Sequence, residues 1–339
     1  MKTRESGVDL FRCLGMLFVT GLHAFLYNGF YYETQTGIHM WAADTFRWLF
    51  FGCNGMFMLL TGYLKSAKPV GKGYYKGLAT FLVGYLLTCV ISYPIRHFLL
   101  GDEAELFVWL ERCVTFSNYA WYLEMYIGLL LISPVINLAL ERLEKPRDLL
   151  WLMGTMVVLT ALPSLTPLHL LPDYWTGLYP LTYYVIGAVI RKGKPNIPSW
   201  LALLGAAATA MIMGGLSLMT AKGGVFADGF AQGGYGGCLT TVMVSLLFLG
   251  IYRLRIGPGL GRVLAWMSGG VFEGYILSRL LDVWIYGRVS FWHDPKSYPL
   301  IFCFVTIPVF LISITAGNMV HRLAVLLTGG GKKKTASRV

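Results

Sequence analysis

VDLFRCLGMLFVTGLHAFLYN, residues 8–28, is an apolar run that carries the ionisable side chains Arg12 and His23 within it. A helix needs about 20 mostly apolar residues to cross the hydrocarbon layer of a bilayer, and this stretch supplies them. It is long and has no small-residue cleavage site, so it is expected to remain as a span and not to be removed as a leader. At about 100° per residue, the eleven steps from Arg12 to His23 return to nearly the same helix face. At a rise of 1.5 Å per residue, His23 stands roughly 16 Å beyond Arg12 along that stripe. An ionisable group inside a span costs about 2.5–3.5 kcal/mol on insertion scales, so each one needs a reason. For His23 the alternatives are a reactive imidazole or a hydrogen bond to a neighbouring helix. For Arg12 they are an anion-binding group or a snorkelling side chain.

The rest of the chain repeats the pattern. Of 339 residues, 56% are hydrophobic and 13% charged, and the mean hydropathy is +0.60. Soluble domains carry about 25% charged residues, so a water-soluble globule is excluded. Hydrophobicity excludes disorder, and six Cys spread over this length exclude a disulfide-built module. Nine more stretches are predicted to span: 44–64, 75–99, 119–140, 147–163, 174–190, 198–219, 234–252, 260–286 and 298–327. Residues 105–118 are amphipathic and suit an interface. The expected fold is an all-α, polytopic membrane bundle of about ten helices, with one transmembrane domain over 1–328 and a basic tail over 329–339.

The formal net charge of +11 could suggest a nucleic-acid partner. Position decides against it. Most Lys and Arg fall at the N-terminus, in even-numbered connections (Lys65, Lys68, Lys72 and Lys76 in the second) and in the tail, while acids gather in the odd ones. Such alternation is the signature of cytoplasmic loops. It places both termini in the cytoplasm and offers no single basic stripe for a nucleic acid. The bilayer is the partner this pattern implies.

Other polar groups fall within the apolar runs: Arg47, Arg96, Glu124, Glu273, Arg279, Asp282, Asn54 and Asn137. Arg47 and Arg96 lie near span ends and are expected to snorkel. Arg279 and Asp282, three residues apart on one helix, are expected to pair. Glu124 and Glu273 have no cation at helical spacing; one of them could cross the bundle to orient His23, or each could fix helix packing. The six His have no ligand spacing with Cys or carboxylates, so no metal is expected.

Three segments in register resemble the bacterial acyltransferase family 3, integral membrane enzymes that O-acylate surface glycans. RCLGMLFVTGLH (12–23) is similar to the family's Arg-x10-His signature. NGMFMLLTGYL (54–64) resembles its Phe-rich run ending in Ser-Gly-Tyr-Leu, and NYAWYLEMYIGLLLISPVIN (118–137) its Trp-Tyr/Phe-Leu segment. FEGYILS (272–278) is a weaker echo. Thr61 replaces the usual Ser, Lys72 and Lys76 replace an arginine pair, and Ser278 stands where a His is common. The resemblance implies an acyl-CoA co-substrate, acetyl or in some relatives succinyl, with no tightly bound cofactor. Its phosphates would meet Arg12, Lys72 and Lys76, and its pantetheine arm would reach His23. His23 would act as general base or carry the acyl group itself, with Arg12 and Glu124 as further catalytic candidates. A glycan or lipid-linked glycan hydroxyl would arrive from the outer side, where Trp121, Tyr122 and Asn54 are the substrate-binding candidates and Tyr27, Tyr31 and Tyr32 lie near. The implied location is the bacterial inner membrane. A multi-span transporter using Glu124 and Glu273 for proton coupling is the alternative, and a non-catalytic subunit of an envelope-synthesis complex a third.

Overall fold

In a bilayer each backbone N–H and C=O must find its partner within the segment or in a closed barrel, and these apolar runs resolve that demand as helices. A computed structural model describes residues 5–68, 74–101, 105–115, 120–165, 171–229, 232–289 and 295–329, and every regular element among them is helical. In chain order these are α1 (Ser6–Tyr27), α2 (Gly37–Phe51), α3 (Cys53–Lys65), α4 (Lys76–Pro94), α5 (Leu106–Val114), α6 (Trp121–Arg142) and α7 (Pro146–Ala161). There follow α8 (Tyr179–Gly193), α9 (Ser199–Ala221), α10 (Cys238–Ile251), α11 (Pro258–Met267), α12 (Val271–Leu281), α13 (Tyr298–Ile301) and α14 (Ile307–Leu327). Wide π-turns extend α4 (Ile95–Leu99) and α12 (Asp282–Tyr286) and join α13 to α14 (Phe302–Thr306).

Five helical stretches are long and apolar enough to cross a membrane: Ser6–Tyr27, Gly77–Leu99, Trp121–Arg142, Ser199–Ala221 and Tyr298–Leu327. Two of the expected spans are instead built from pieces. Residues 44–64 fall on α2 and α3, which meet at Gly52, and residues 260–286 fall on α11 and α12, which Ser268-Gly269-Gly270 separates. The amphipathic stretch yields α5, which buries only Trp109 and Cys113.

The first helix is the axis of the bundle. Of its apolar window 67% is buried, against 28% for Gly77–Leu99, so α1 is enclosed by protein while α4 turns much of its surface outward. Packed against α1 are α2, α3, α10, α11, α12 and α14. Two crossings are so close that only glycine fits. A Cβ on Gly62 of α3 would strike the carbonyl of Tyr184, and one on Gly187 of α8 the carbonyl of Leu59. Likewise a Cβ on Gly317 of α14 would meet the backbone of Gly270 and Gly274, locking α14 to the start of α12. Small residues at helix crossings are how apolar helices associate where lipid offers no hydrophobic drive.

Candidate active site

One face of α1 looks into a cavity of about 590 Å³, within the range of ligand pockets. Arg12, Val19, His23 and Leu26 of α1 line it, at the seven-, four- and three-residue steps of a single helical stripe. The shared face expected for Arg12 and His23 is thus present and turns inward. From Arg12 to Leu26 the stripe climbs about 21 Å, so the cavity is an elongated chamber along the helix axis.

At the His23 end, the imidazole Nδ1–H donates to Asp282 Oδ2 at 2.6 Å; the His23 side chain is 9% exposed and that of Asp282 0%. The Ser278 hydroxyl donates to the same Oδ2 at 3.1 Å. An ionised carboxylate can only accept, so it holds the proton on Nδ1 and leaves the Nε2 lone pair for chemistry. The partner of His23 is therefore neither Glu124 nor Glu273. Glu273 is committed to His321, whose Nδ1–H donates to Oε1 at 2.9 Å. Asp282, read from spacing as the mate of Arg279, still feels that charge but gives its Oδ2 to His23 across the bundle, at the start of a π-turn.

The Arg12 end is polar. Arg12 is half-buried, and its Nη1–H donates to the carbonyl of Ser268 at 3.5 Å, in the break between α11 and α12. Glu273 and His321 line the same end, as do Lys65 and Lys68 from the close of α3. Burial pulls the Lys65 ammonium down to about 8, and the neighbouring Lys68 adds to the effect. Gly84 of α4 leaves room for the Glu273 carboxyl, which a Cβ there would touch.

The side walls carry three further expected residues. Asn54 of α3 is 3% exposed, its amide buried beside the Tyr179 hydroxyl. Trp121 and Tyr122 of α6 also face the chamber. Tyr235, in the turn before α10, closes the wall between them and α2, stacked on Phe51 at 4.3 Å and on Trp121 at 5.6 Å.

Other expectations are displaced. Glu124 is exposed in the first turn of α6 and does not line the chamber, whereas the half-buried Tyr122 and the edge of the exposed Trp121 do. Lys72 lies outside the described residues; Lys76 opens α4, and its side chain lies outside them as well. Arg47 does not snorkel. It is 5% exposed, its guanidinium over Trp48 at 4.0 Å and Phe226 at 4.4 Å, because the 226–228 segment folds across it. Arg96 is half-buried over Trp109 at 5.0 Å.

Ser278, Asp282 and His321 were not among the sequence candidates. The signal for Asp282 was present, an acid in the middle of an apolar run, but the nearby Arg279 offered a local explanation for it. No curated protein and no solved structure matches this chain. The family model Acyl_transf_3, described as an acyltransferase domain, matches residues 5–317 of the 339. That interval takes in Arg12, His23 and Asp282 together with the helices that hold them, and the chain accordingly belongs to the acyltransferase 3 family of membrane acyltransferases.

Proposed function

We propose that this protein moves an acyl group, acetyl by preference, from acyl-CoA to a hydroxyl of an envelope polysaccharide or lipid-linked glycan. The observation that carries the reading is the placement of the His23–Asp282 pair on the wall of a chamber whose far end is cationic. Lys65, Lys68 and Arg12 offer charge to the phosphates of a nucleotide, and Arg12 adds a planar fork that suits phosphate oxygens. The roughly 16 Å from Arg12 to His23 is of the order of an extended pantetheine arm, so the thioester would arrive at the imidazole while the phosphates stay at the mouth.

In the proposed step, His23 Nε2 takes the proton of the acceptor hydroxyl as its oxygen attacks the thioester carbonyl. Asp282 accepts the Nδ1–H and stabilises the imidazolium so formed. Asn54, on the chamber wall, is the amide nearest to serve the oxyanion of the tetrahedral intermediate once its side chain turns inward. Collapse breaks the C–S bond, the thiolate takes the proton back from His23, and the products are the O-acyl ester and free CoA. Tyr122 and Trp121 give the acceptor sugar apolar surface against which to stack.

The charge distribution supports an orientation with both termini in the cytoplasm and ten crossings of the bacterial inner membrane, counting α2 with α3 and α11 with α12 as one each. The Arg12 mouth then opens to cytosolic acyl-CoA and the Trp121 end to the outer leaflet. The test is purified protein supplied with labelled acetyl-CoA and envelope glycan. Labelled ester and free CoA should appear and fall by about 10²–10⁴ in His23→Ala, the usual worth of a positioned base. Unchanged turnover in that variant overturns the reading. Mass spectrometry of glycans from a deletion strain would identify the acceptor by the ester it loses.

A further inference from the structure

Beside the reaction chamber lies a second cavity of about 380 Å³. It shares Leu22, Leu26 and Tyr235 with the first, so it abuts the chamber at the His23 end. Arg47 and Tyr31 are its polar walls, and Asp228 stands exposed at its rim.

Arg47 is unusual in how little satisfies it. The side chain is 95% buried, and Nε–H donates to the Tyr31 hydroxyl at 3.2 Å. Nη1 is buried with no acceptor. Asp44, one turn earlier on α2, is fully buried with neither oxygen hydrogen-bonded, so it makes no direct pair with the guanidinium. Aromatic faces hold the guanidinium plane: Trp48 at 4.0 Å, Phe226 at 4.4 Å and Phe51 at 4.6 Å. Such a cage recovers part of the desolvation cost but supplies no acceptor for the N–H edge. Leaving a buried cation without its hydrogen bonds is costly, and a guanidinium fixed in plane is prepared for a carboxylate or phosphate, which it binds through two parallel bonds.

We propose that this cavity is the acceptor subsite and that the acceptor carries an oxyanion, a sugar carboxylate or a phosphodiester, which Arg47 binds next to the hydroxyl being acylated. The inference rests on the acyl-transfer reading and adds the substrate's charge to it. Asp228, at the water-facing rim where its charge is screened, accepts from sugar hydroxyls while Arg47 holds the anion deeper in. The acceptor would then be selected at Arg47 and present its hydroxyl to His23 past Leu22, Leu26 and Tyr235, which border both cavities.

The experiment has a binding arm and a turnover arm, both on the full chain in detergent or nanodiscs. In the binding arm, glucuronate and dimethyl phosphate are compared with glucose for their effect on the melting temperature. At least one anion should stabilise the parent where glucose does not, and whichever does so distinguishes an acidic sugar from a phosphodiester. The stabilisation should vanish in Arg47→Gln. In the turnover arm, acetyl transfer is measured to a uronic-acid-containing oligosaccharide, to a phosphodiester-bearing glycan and to a neutral one. The ratio of kcat/KM for the preferred anionic acceptor over the neutral one should fall on the order of 10- to 100-fold in Arg47→Gln, as expected for lost charge-assisted hydrogen bonds. Arg47→Lys, which keeps the charge and loses the fork, should fall between, and it serves if Arg47→Gln does not fold. Equal stabilisation by glucose and both anions, or an acceptor ratio unmoved in both variants, overturns the proposal and leaves acyl transfer standing. Anion binding that depends on Arg47 in a protein that transfers no acyl group overturns the acyl-transfer reading and leaves the anion site.

Discussion

Replacing Asp282 by Asn should cost this acyltransferase most of its turnover while leaving the shape of the site intact. The carboxylate is 0% exposed and bonded at 2.6 Å to His23 Nδ1. The substitution is isosteric, so the chamber keeps its volume. Two things change. An amide can present its NH2 group to Nδ1, which moves the ring proton to Nε2 and removes the base. If it presents its oxygen instead, the imidazolium formed in the transition state loses its adjacent negative charge. Uncoupling a catalytic imidazole from its carboxylate lowers kcat by about 10⁴ in the best-studied triad, and at 1.36 kcal/mol per tenfold that is about 5 kcal/mol of transition-state stabilisation. Here about 10³–10⁴ is expected, with KM for acyl-CoA within a few-fold of the parent because the phosphate-facing cations sit at the other end of the chamber. CoA release should be followed chromatographically, since the exposed Cys303 would consume a thiol reagent. His23→Ala/Asp282→Asn should be no slower than His23→Ala alone, because the two groups act as one unit. Retention of more than a tenth of parental kcat in a folded Asp282→Asn protein would refute the assignment of Asp282 as the group that orients His23.

Three further outcomes follow from the same geometry. Arg12→Gln should raise KM for acyl-CoA about tenfold or more and change kcat much less, as the loss of about 1.5–3 kcal/mol of charge-assisted hydrogen bonding predicts; steady-state kinetics with varied donor would show the split. Lys65, drawn down to about 8, is charged below that pH and neutral above it. KM for acyl-CoA should therefore rise as pH climbs through 8, and Lys65→Arg, which stays protonated, should flatten the rise in a pH series. Gly187→Ala should destabilise the fold by about 1–3 kcal/mol or more through overpacking, read as a lowered melting temperature, since the new Cβ meets the Leu59 carbonyl and not a side chain that can move.

The helical class and the Arg12–His23 stripe were legible because both depend on local spacing. A 3.6-residue period needs no knowledge of neighbours, and α1, enclosed on most sides, turned that stripe into the chamber as expected. What failed was partner assignment. Asp282 and His23 are 259 positions apart, and the nearby Arg279 supplied a plausible mate three residues away. Asp282 also opens a π-turn, a departure from the regular period that spacing alone does not reveal. Arg47 was read as snorkelling because it lies near the end of an apolar run, yet Phe226, from a loop far along the chain, covers it. Glu124 shows the converse. Its mid-run position suggested burial, but α6 has one outward face, and Glu124 is on it. Of the lysines in the second connection, Lys65 and Lys68 line the chamber, while Lys72 and the Lys76 side chain lie outside the described residues.

The glycine crossing of α3 and α8 has a consequence for how variation in this protein would read. Asn54, Phe57, Thr61 and Lys65 all project from α3 into the chamber, while no residue of α8 reaches it. The seating of α3 is nonetheless set by α8, through backbone contact at Gly62 and Gly187 that leaves no slack. A saturation-mutagenesis map scored by acylation alone would thus mark Gly187 as intolerant beside His23, although the glycine touches no reactant. Scoring abundance in parallel would separate the two, since the imidazole could be lost from a protein still present in the membrane, and the glycine could not.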